Sequence, residues 1–390
     1  MPCGLILVPN LTSPAELVLD SAARSITASS EDARNHFYVA STDREISNSP
    51  DIPSVVEREN SQEDGDGQYS DLQSDDESST QSLGSTVKAC CEENGRTYHS
   101  YKQGRYPLPN DEDEQERLDL QHELFLIMHD RKLLLCPADL SKAHRILDLG
   151  TGTGIWAMDF ADHNPQLEVI GVDLSPIQPT FVPPNLHFIL DDIEDEWLYG
   201  SAQFDVIHGR MLNHSIRNWP HLFKQSFDYL KPGGYVEFVC MSPNLKLENG
   251  STIEGSALKA WSQAVLECYV DLGIDVDCEA GYQNQLVEAG FKSVVEVQER
   301  LPLNAWPNEQ HEHLLGRWSR ENMLMGLSGF SLAPFTRAKR WQRTRVETML
   351  IEVRKEIKNT GIHAYWPIYV VYARKPTTKM EESNDEDLEK

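Results

Sequence analysis

Three glycines at alternate positions form the most informative motif of the sequence. They lie in Arg145-Ile-Leu-Asp-Leu-Gly-Thr-Gly-Thr-Gly-Ile-Trp156, where an apolar segment runs into Gly150, Gly152 and Gly154. Because glycine has no Cβ, the backbone can turn tightly there and approach a ligand. The free N–H groups of a following helix would point at the same ligand. The motif predicts a strand, a binding loop that includes Thr151, and a helix.

Asp148 and Ile155 narrow the class of ligand. Ile155 stands where the dinucleotide fingerprint G-x-G-x-x-G requires its third glycine, and no Lys-Ser/Thr pair follows as in a Walker loop. A carboxylate at Asp148, just before the loop, would repel a pyrophosphate and attract an ammonium group. We therefore expect a zwitterion without phosphates, S-adenosylmethionine, in preference to NAD.

Acids also end the next two predicted strands. At the carboxyl end of a strand, Asp173 can accept hydrogen bonds from both hydroxyls of a ribose, with Leu174 beside it. Asp192 can accept from the exocyclic amine of adenine, and the N–H of Ile193 can donate to a ring nitrogen. One such acid alone is more often a cap or a solvated loop residue. Three acids in this order favour a nucleoside site.

The elements that must position these residues alternate along the chain, which predicts an α/β fold with a parallel, doubly wound sheet. The predicted strands are 145–149, 167–173, 186–190, 204–208, 235–241, 293–300 and 367–373. The predicted helices are 155–162, 220–230, 255–273, 279–289, 307–326 and 333–358. A further helix is expected upstream, where Asn110 or Asp111 can cap an acidic first turn.

Acidic segments flank this region. The 390 residues carry a net charge of −27, with 18 acids and five bases in 1–95 and six acids and two bases in 376–390. Residues 41–85 are rich in Ser, Asp, Glu and Gly, and such a segment buries too little apolar surface to fold. We predict a disordered acidic Ser-rich tail over 1–93, a domain over 94–375 and a second acidic tail over 376–390.

Composition also disfavours several classes of protein. The net acidity argues against non-specific binding to nucleic acid, because that affinity comes from neutralising phosphates. The seven cysteines show no CxxC or Cys/His pair, so we expect neither a metal site nor a disulfide framework, and a reducing compartment, cytoplasm or nucleus. Without a long apolar stretch or a basic, apolar leader, we expect no transmembrane helix and no signal peptide.

With these motifs in place, the sequence resembles the class I S-adenosylmethionine-dependent methyltransferases. The resemblance rests on Asp148-x-Gly-x-Gly-x-Gly154, Asp173, Asp192, Phe204-Asp205-Val206 and Leu230-Lys-Pro-Gly-Gly234. Flanking motifs are similar to the fungal LaeA-like group: Asn94-Gly-Arg-Thr-Tyr-His-Ser-Tyr101, Tyr106-x-Leu-Pro-Asn-Asp111, Arg117-Leu-Asp-Leu-Gln-His122, Ile207-His-Gly-Arg210 and Trp219-Pro220. It covers about residues 94–375. It implies a Rossmann-like seven-stranded sheet closed by an antiparallel C-terminal hairpin, with helices inserted over the substrate side.

Methyl transfer from a sulfonium mainly requires that donor and acceptor be oriented, and a base is needed only for a protonated nucleophile. His208 follows the fourth strand and is our candidate base; the alternative is a histidine that bonds to structure or packs on the cofactor. Arg210 can hold an anionic acceptor or pair with an acid. Tyr98 and Tyr101, with Tyr106, can form a lid whose rings contact the sulfonium, or can anchor the N-terminal arm to the core.

Two functions from different classes stay open at this point. The first is an S-adenosylmethionine-dependent methyltransferase that acts on a small metabolite or a protein, and family members include regulators of secondary metabolism. The second is a cofactor-binding regulatory scaffold with little turnover, which would contact a protein partner through its tails or inserted helices. A third, an NAD(P)-dependent oxidoreductase, is disfavoured by Asp148 and Ile155. The basic run Lys339–Arg345 can be a partner-binding patch or a solvated helix face.

Overall fold

A mostly parallel sheet forms the centre of the domain. The computed structural model describes residues 90–248 and 253–377. Its strands are β1 Cys90–Glu93, β2 Arg96–His99, β3 Arg145–Leu149, β4 Glu168–Asp173, β5 Leu186–Leu190, β6 Phe204–Arg210, β7 Leu230–Met241, β8 Lys246–Leu247, β9 Lys292–Pro302 and β10 Ala364–Arg374. The sheet order is β5-β4-β3-β6-β7-β10, with β9 on the far side of β10 and the short β8 against the start of β10. The strands from β5 to β7 run parallel, whereas β10 is antiparallel to both β7 and β9.

The order confirms the predicted doubly wound sheet with an antiparallel C-terminal hairpin. The helices are α1 Glu112–Met128, α2 Ile155–His163, α3 Trp219–Tyr229, α4 Ala257–Asp271, α5 Tyr282–Ala289, α6 Gln310–Gly326, α7 Leu332–Ala338 and α8 Arg343–Ile357. The last three are inserted between the hairpin strands β9 and β10, as the resemblance implied. None of the described helices combines the length and apolarity needed to cross a membrane.

Side chains alternate across the sheet, so its two faces carry different cores. On one face, Leu147 and Leu149 join a cluster with Trp219, Phe223 and Tyr282 from α3 and α5. The opposite face contains the cluster around Ile146, Val169, Val206, Trp156 and Phe160, the last two from α2. Asp148 points to this second face because it lies two residues from Ile146 along β3. The second face therefore combines an apolar core with a buried charge.

The domain begins earlier than its sequence suggests. The sequence predicts residues 90–93 to lie in the disordered tail, but they form β1, which pairs antiparallel with β2. Its Glu93 binds the side chains of Thr336 and Arg337 on α7. The rest of the predicted N-terminal tail, and the C-terminal tail beyond residue 377, lie outside the described residues.

The predicted helix 333–358 is wrong in one respect, because the structure divides it into α7 and α8. Between them Arg340 has a φ of 56°, a left-handed conformation that ends a right-handed helix. Trp341 stabilises the break by stacking on Phe335, with ring centroids 4.9 Å apart, and by lying under the guanidinium of Arg345 at 3.7 Å. The basic run Lys339–Arg345 is therefore not a continuous helix face.

Asp111 fixes the start of α1, the helix that covers the cavity described below. One oxygen of its carboxylate accepts from the N–H of Glu114 at 3.2 Å, and the carboxylate also binds the Arg96 guanidinium through two contacts. The cap satisfies a helix donor that otherwise has no partner, and the ion pair ties α1 to β2.

Replacing Asp111 with Ala should therefore lower the free energy of unfolding by about 1–2 kcal/mol, the cost of a lost N-cap. Urea denaturation followed by circular dichroism measures the change. Asp113→Ala is the matched control, because Asp113 lies in the same helical turn but is exposed. Equal stability losses in the two variants would contradict the role of Asp111 as the cap.

Candidate functional site

A cavity opens at the carboxyl ends of β3, β4 and β6. Its volume is about 140 Å³, whereas a second cavity beside Trp156 measures about 10 Å³, room for roughly one water molecule. Neighbouring β3 and β6 are the strands from which the chain continues in opposite directions, and open α/β sheets bind ligands at such a point. Nine of the predicted site residues line the larger cavity: Asp148, Gly150, Thr151, Gly152, Asp173, Leu174, Asp192, Ile193 and His208.

The glycine loop has the conformation that its sequence predicts. Gly150, Gly152 and Gly154 all have positive φ, at 62°, 60° and 82°. A Cβ on Gly150 would lie 2.4 Å from the side chain of Leu212, and one on Gly154 would lie 2.3 Å from the ring of Phe188. Gly154 is not part of the cavity lining; it lets α2 start close against β5.

Asp148 is buried at the base of the loop. One of its oxygens lies 2.8 Å from Nδ1 of His208, and the other accepts the Thr151 hydroxyl at 2.6 Å. The carboxylate thereby joins β3, the loop and β6. It is a fixed negative charge in the cavity wall.

His208, the candidate base, is held by protein groups. Besides its contact with Asp148, the imidazole stacks on Trp156, with ring centroids 3.8 Å apart and planes 5° apart. An ionised carboxylate can only accept a hydrogen bond. The contact with an ionised Asp148 therefore requires the tautomer of His208 that carries a proton on Nδ1. These contacts match the alternative role of His208, that of a histidine that bonds to structure.

Asp173 ends β4 beside the loop. Its two oxygens accept from the N–H groups of Gly152 and Ser175, both at 2.8 Å. Burial raises its pKa from 3.8 to about 6, although these two hydrogen bonds act in the opposite direction. Each oxygen keeps a further lone pair for a ligand hydroxyl.

Asp192 meets an N-terminal arm, residues 99–107, that sequence reasoning did not assign to it. Lys102 Nζ lies 3.0 Å from a carboxylate oxygen of Asp192, and Arg105 Nε lies 3.4 Å from the same oxygen. Arg105 also pairs with Glu194 at 2.8 Å. A ligand amine at Asp192 would share or replace the contact with Lys102.

The tyrosines expected to form a lid divide into two groups. Tyr98 is buried in β2 under the guanidinium of Arg337, which lies 4.8 Å from its ring centroid, and it is not part of the cavity lining. The prediction that Tyr98 is part of a lid is wrong, because this packing matches the alternative, in which Tyr98 anchors the N-terminal arm to the core. Tyr101 directs its hydroxyl at Asp191, 3.4 Å away, on the rim, and Tyr106 lines the cavity.

Sequence reasoning missed the far wall of the cavity, which consists of Glu114, Arg117 and Gln121 on α1 with His214 and Phe330. Arg117 binds Glu114 at 2.7 Å and Asn322 at 2.9 Å, so its charge is compensated. Burial, and to a smaller extent Arg117, lowers the pKa of His214 to about 4, which keeps the imidazole neutral. The sequence signal that could have indicated this wall is the spacing of residues 114, 117 and 121, which places them on one face of a helix.

Comparison with known proteins agrees with this geometry. Residues 119–322 match the family model of a methyltransferase domain. The chain is 34% identical over 303 residues to methyltransferase pytC of Aspergillus terreus, covering 77% of this chain and 93% of that protein. It is 37% identical over 289 residues to the secondary metabolism regulator laeA of Aspergillus fumigatus, covering 74% and 77%. The protein-methionine methyltransferase laeA of Emericella nidulans is 36% identical over 287 residues, covering 73% and 76%.

The chain belongs to the class I S-adenosylmethionine-dependent methyltransferases. The expected resemblance to the LaeA-like group is confirmed, and S-adenosylmethionine is the cofactor of this methyltransferase. The residues present fit it: the carboxylates of Asp173 and Asp192 line one cavity with the apolar side chains of Leu174 and Ile193. A Cβ on Gly152 would lie 3.6 Å from Leu118 on the opposite wall, so its absence leaves that space open.

Gly154→Ala should weaken the binding of S-adenosylhomocysteine by at least about tenfold, equivalent to about 1.4 kcal/mol, because the new Cβ displaces Phe188 or the loop. Isothermal titration calorimetry measures the affinity. Gly273→Ala is the control, since Gly273 also has a positive φ, of 77°, but a Cβ there would meet no atom within 4 Å. A Gly154→Ala protein with wild-type affinity would refute the need for glycine here.

Asp173 should make cofactor binding depend on pH. Its carboxyl is protonated below about pH 6 and ionised above, and the ionised form is the stronger acceptor for ribose hydroxyls. The affinity for S-adenosylhomocysteine should therefore rise as the pH increases through about 6. Because the folded pKa lies above the unfolded value of about 3.8, Asp173 disfavours folding progressively as the pH rises between these values.

Titrations at several pH values between about 5 and 7.5 test this dependence. Asp173→Asn keeps the shape of the side chain but cannot ionise, so it should bind more weakly and with a flatter pH profile. A variant profile that parallels the wild type would assign the pH dependence to another group.

Proposed function

We propose that this methyltransferase modifies an uncharged group, on a protein side chain or a small metabolite, that enters the far end of the cavity. The observation that carries the proposal is the wall formed by Gln121, His214 and Phe330. Asp173 and Asp192 lie at the nucleoside end, so this wall is available to a second molecule.

Unused polar groups support an acceptor at this wall. Gln121 is only 5% exposed, and its amide makes no hydrogen bond with the residues that the structure describes. The ring nitrogens of His214 likewise lack a hydrogen-bond partner within the described chain, while its ring stacks on Phe330 at a centroid distance of 6.2 Å. Because both side chains line the cavity, these polar atoms are available to a ligand.

The charges at this end favour an uncharged acceptor. Glu114 and Arg117 compensate each other through contacts at 2.7–3.1 Å. His214 is neutral because burial lowers its pKa to about 4. Among Glu114, Arg117 and His214, a charged acceptor would find no free counter-charge to offset its lost hydration.

When bound, S-adenosylmethionine supplies a methyl group on a positively charged sulfur. The protein's own contribution is to orient the two reactants and to exclude water from the cavity. Gln121 and His214 would hold the acceptor by hydrogen bonds. We propose that His208 positions Asp148 instead of moving a proton, since it is bonded to that acid and covered by Trp156.

The structure also contains an observation that favours the second candidate, a cofactor-binding regulator. The one histidine expected to act as a base is enclosed, and His214 is a weak base at its lowered pKa. Relatives include proteins named as secondary metabolism regulators. In this function the tails or the inserted helices would bind a regulatory protein partner.

We infer that either function takes place in a reducing compartment, the nucleus or the cytosol. The five cysteines whose side chains the structure describes are free, and four of them are buried. Burial raises the pKa of the Cys240 thiol to about 12 and that of Cys268 to about 11, which keeps both unreactive.

Label transfer distinguishes the two functions. The protein is incubated with methyl-labelled S-adenosylmethionine and an extract of the source organism, with Gly154→Ala as the control whose cofactor binding is weakened. Label that appears in one acceptor and falls with the Gly154→Ala variant supports the enzyme. Cofactor binding without any labelled acceptor, together with restoration of a deletion strain by the Gly154→Ala variant, supports the scaffold.

Replacing His214 with Phe and Gln121 with Leu tests the acceptor wall. Each change keeps the bulk of the side chain but removes its hydrogen-bonding groups, so labelling of the acceptor should fall about tenfold or more for each lost contact. The affinity for S-adenosylhomocysteine, measured by calorimetry, should stay unchanged. Normal labelling by both variants would place the acceptor elsewhere.

A further inference from the structure

The N-terminal arm, residues 99–107, reverses its direction within a few residues. Arg105 donates its backbone N–H to the carbonyl oxygen of Lys102 at 3.1 Å, and both Lys102 and Gly104 have positive φ, at 50° and 81°. A left-handed conformation strains a residue that has a side chain, and it persists only where surrounding contacts hold it. The arm therefore depends on contacts that fix its turn.

His99, at the base of the arm, supplies such contacts. Its side chain is buried, with only 2% exposed. Nδ1 of the imidazole lies 2.7 Å from the carbonyl oxygen of Tyr101, and Nε2 lies 3.1 Å from the backbone nitrogen of Tyr106. Tyr101 precedes the turn and Tyr106 follows it, so one imidazole connects the two sides of the arm.

The two contacts define the tautomer of His99. A carbonyl oxygen only accepts, so Nδ1 must donate to Tyr101, and an N–H only donates, so Nε2 must accept from Tyr106. The carbonyl oxygen of Tyr106 lies farther from Nε2, at 3.3 Å. The imidazole that satisfies both backbone groups is therefore neutral, with its proton on Nδ1.

The arm forms part of the cavity wall. Arg105 and Tyr106 line the cavity, and the chain then continues through Leu108 to the start of α1. On its other side the arm reaches the acids that follow β5, through the contacts of Lys102 and Arg105 with Asp192 and Glu194. The arm therefore closes the cavity between α1 and the end of β5.

The contacts on the two sides of the arm differ in character. The side chains of Lys102 and Arg105 are each 32% exposed, so salt partly screens their ion pairs. The hydrogen bonds of His99 are buried and join neutral groups, so salt does not screen them. His99 is therefore the contact that fixes the shape of the arm itself.

We propose that His99 is a positioning residue for methyl transfer: it holds the arm in place across the cavity, and the held arm slows the release of bound molecules. A segment that closes a site excludes water from the reaction and commits the substrate. The proposal rests on the cofactor assignment but not on the proposed acceptor, because it concerns the release of ligands and not their recognition.

The dissociation rate of S-adenosylhomocysteine from the immobilised full-length protein, measured by surface plasmon resonance, tests the proposal. His99→Phe keeps a ring but loses both bonds, so the rate should rise about ten- to thirtyfold, the effect of two neutral hydrogen bonds. His99→Asn keeps a donor near the position of Nδ1, and His99→Gln keeps an acceptor near the position of Nε2. Each of these two variants should raise the rate only about fivefold.

Limited proteolysis reports on the arm directly. Trypsin cleaves after Lys102 and Arg105, and it reaches these bonds when the arm opens. With S-adenosylhomocysteine bound, cleavage at both bonds should be fastest in His99→Phe, slower in the Asn and Gln variants and slowest in the wild type. A side chain that only fills space would not give this order, because Asn and Gln fill the space of the imidazole less well than Phe.

His163→Phe is the matched control. The imidazole of His163 also contacts a backbone carbonyl, that of Asp159 at 2.7 Å, but it is exposed on α2. The control should change neither the dissociation rate nor the tryptic cleavage. If His99→Phe fails to fold, the Asn and Gln variants, which each retain one bond, carry the test.

Two results would overturn the inference. A wild-type dissociation rate in all three His99 variants would show that the arm does not control ligand release. Lower thermal stability with wild-type cleavage after Lys102 and Arg105 would make His99 only a core residue. In both cases binding of S-adenosylhomocysteine by the wild-type protein leaves the methyltransferase assignment intact, whereas a wild-type protein that does not bind it would overturn assignment and inference together.

Discussion

The carboxylate of Asp148 is the contact on which the geometry of the site depends. Through His208 and Thr151 it connects the ends of two neighbouring strands to the loop between β3 and α2. Such a buried charge is tolerated only when its oxygens are bonded. The same two bonds therefore stabilise the fold and fix a negative potential in the cavity wall.

This charge belongs to a polar row that crosses the sheet. Asp148, His208 and Glu237 occupy paired positions on β3, β6 and β7. Glu237 accepts from the backbone N–H groups of Leu135 and Cys136, in the segment that leads into β3. The row thus anchors the chain before β3 as well as the loop after it, and Trp156 covers one face of the histidine ring by stacking on it.

Sequence patterns predicted the parts of the molecule that follow from local rules. Alternating apolar segments correctly indicated the sheet. Nine of the residues singled out by the glycine spacing and the strand-end acids line the cavity, and their roles stay predictions. The helix break at Arg340 could not be predicted, because no Gly or Pro lies at the break. It depends instead on the stacking of Trp341 on Phe335. The burial of Tyr98 and the far wall of the cavity could not be predicted from the sequence either. Both depend on which helix of the C-terminal insertion packs against the N-terminal segment.

That packing gives the N-terminal segment a role that no local motif predicts. The hairpin β1–β2 is bound to α7 through Glu93 and Arg337 and to the start of α1 through Arg96 and Asp111. The arm that follows it reaches Asp192 through Lys102 and Arg105. The inserted helices, the hairpin and the Asp192 end of the cavity are thus joined by charge pairs in series.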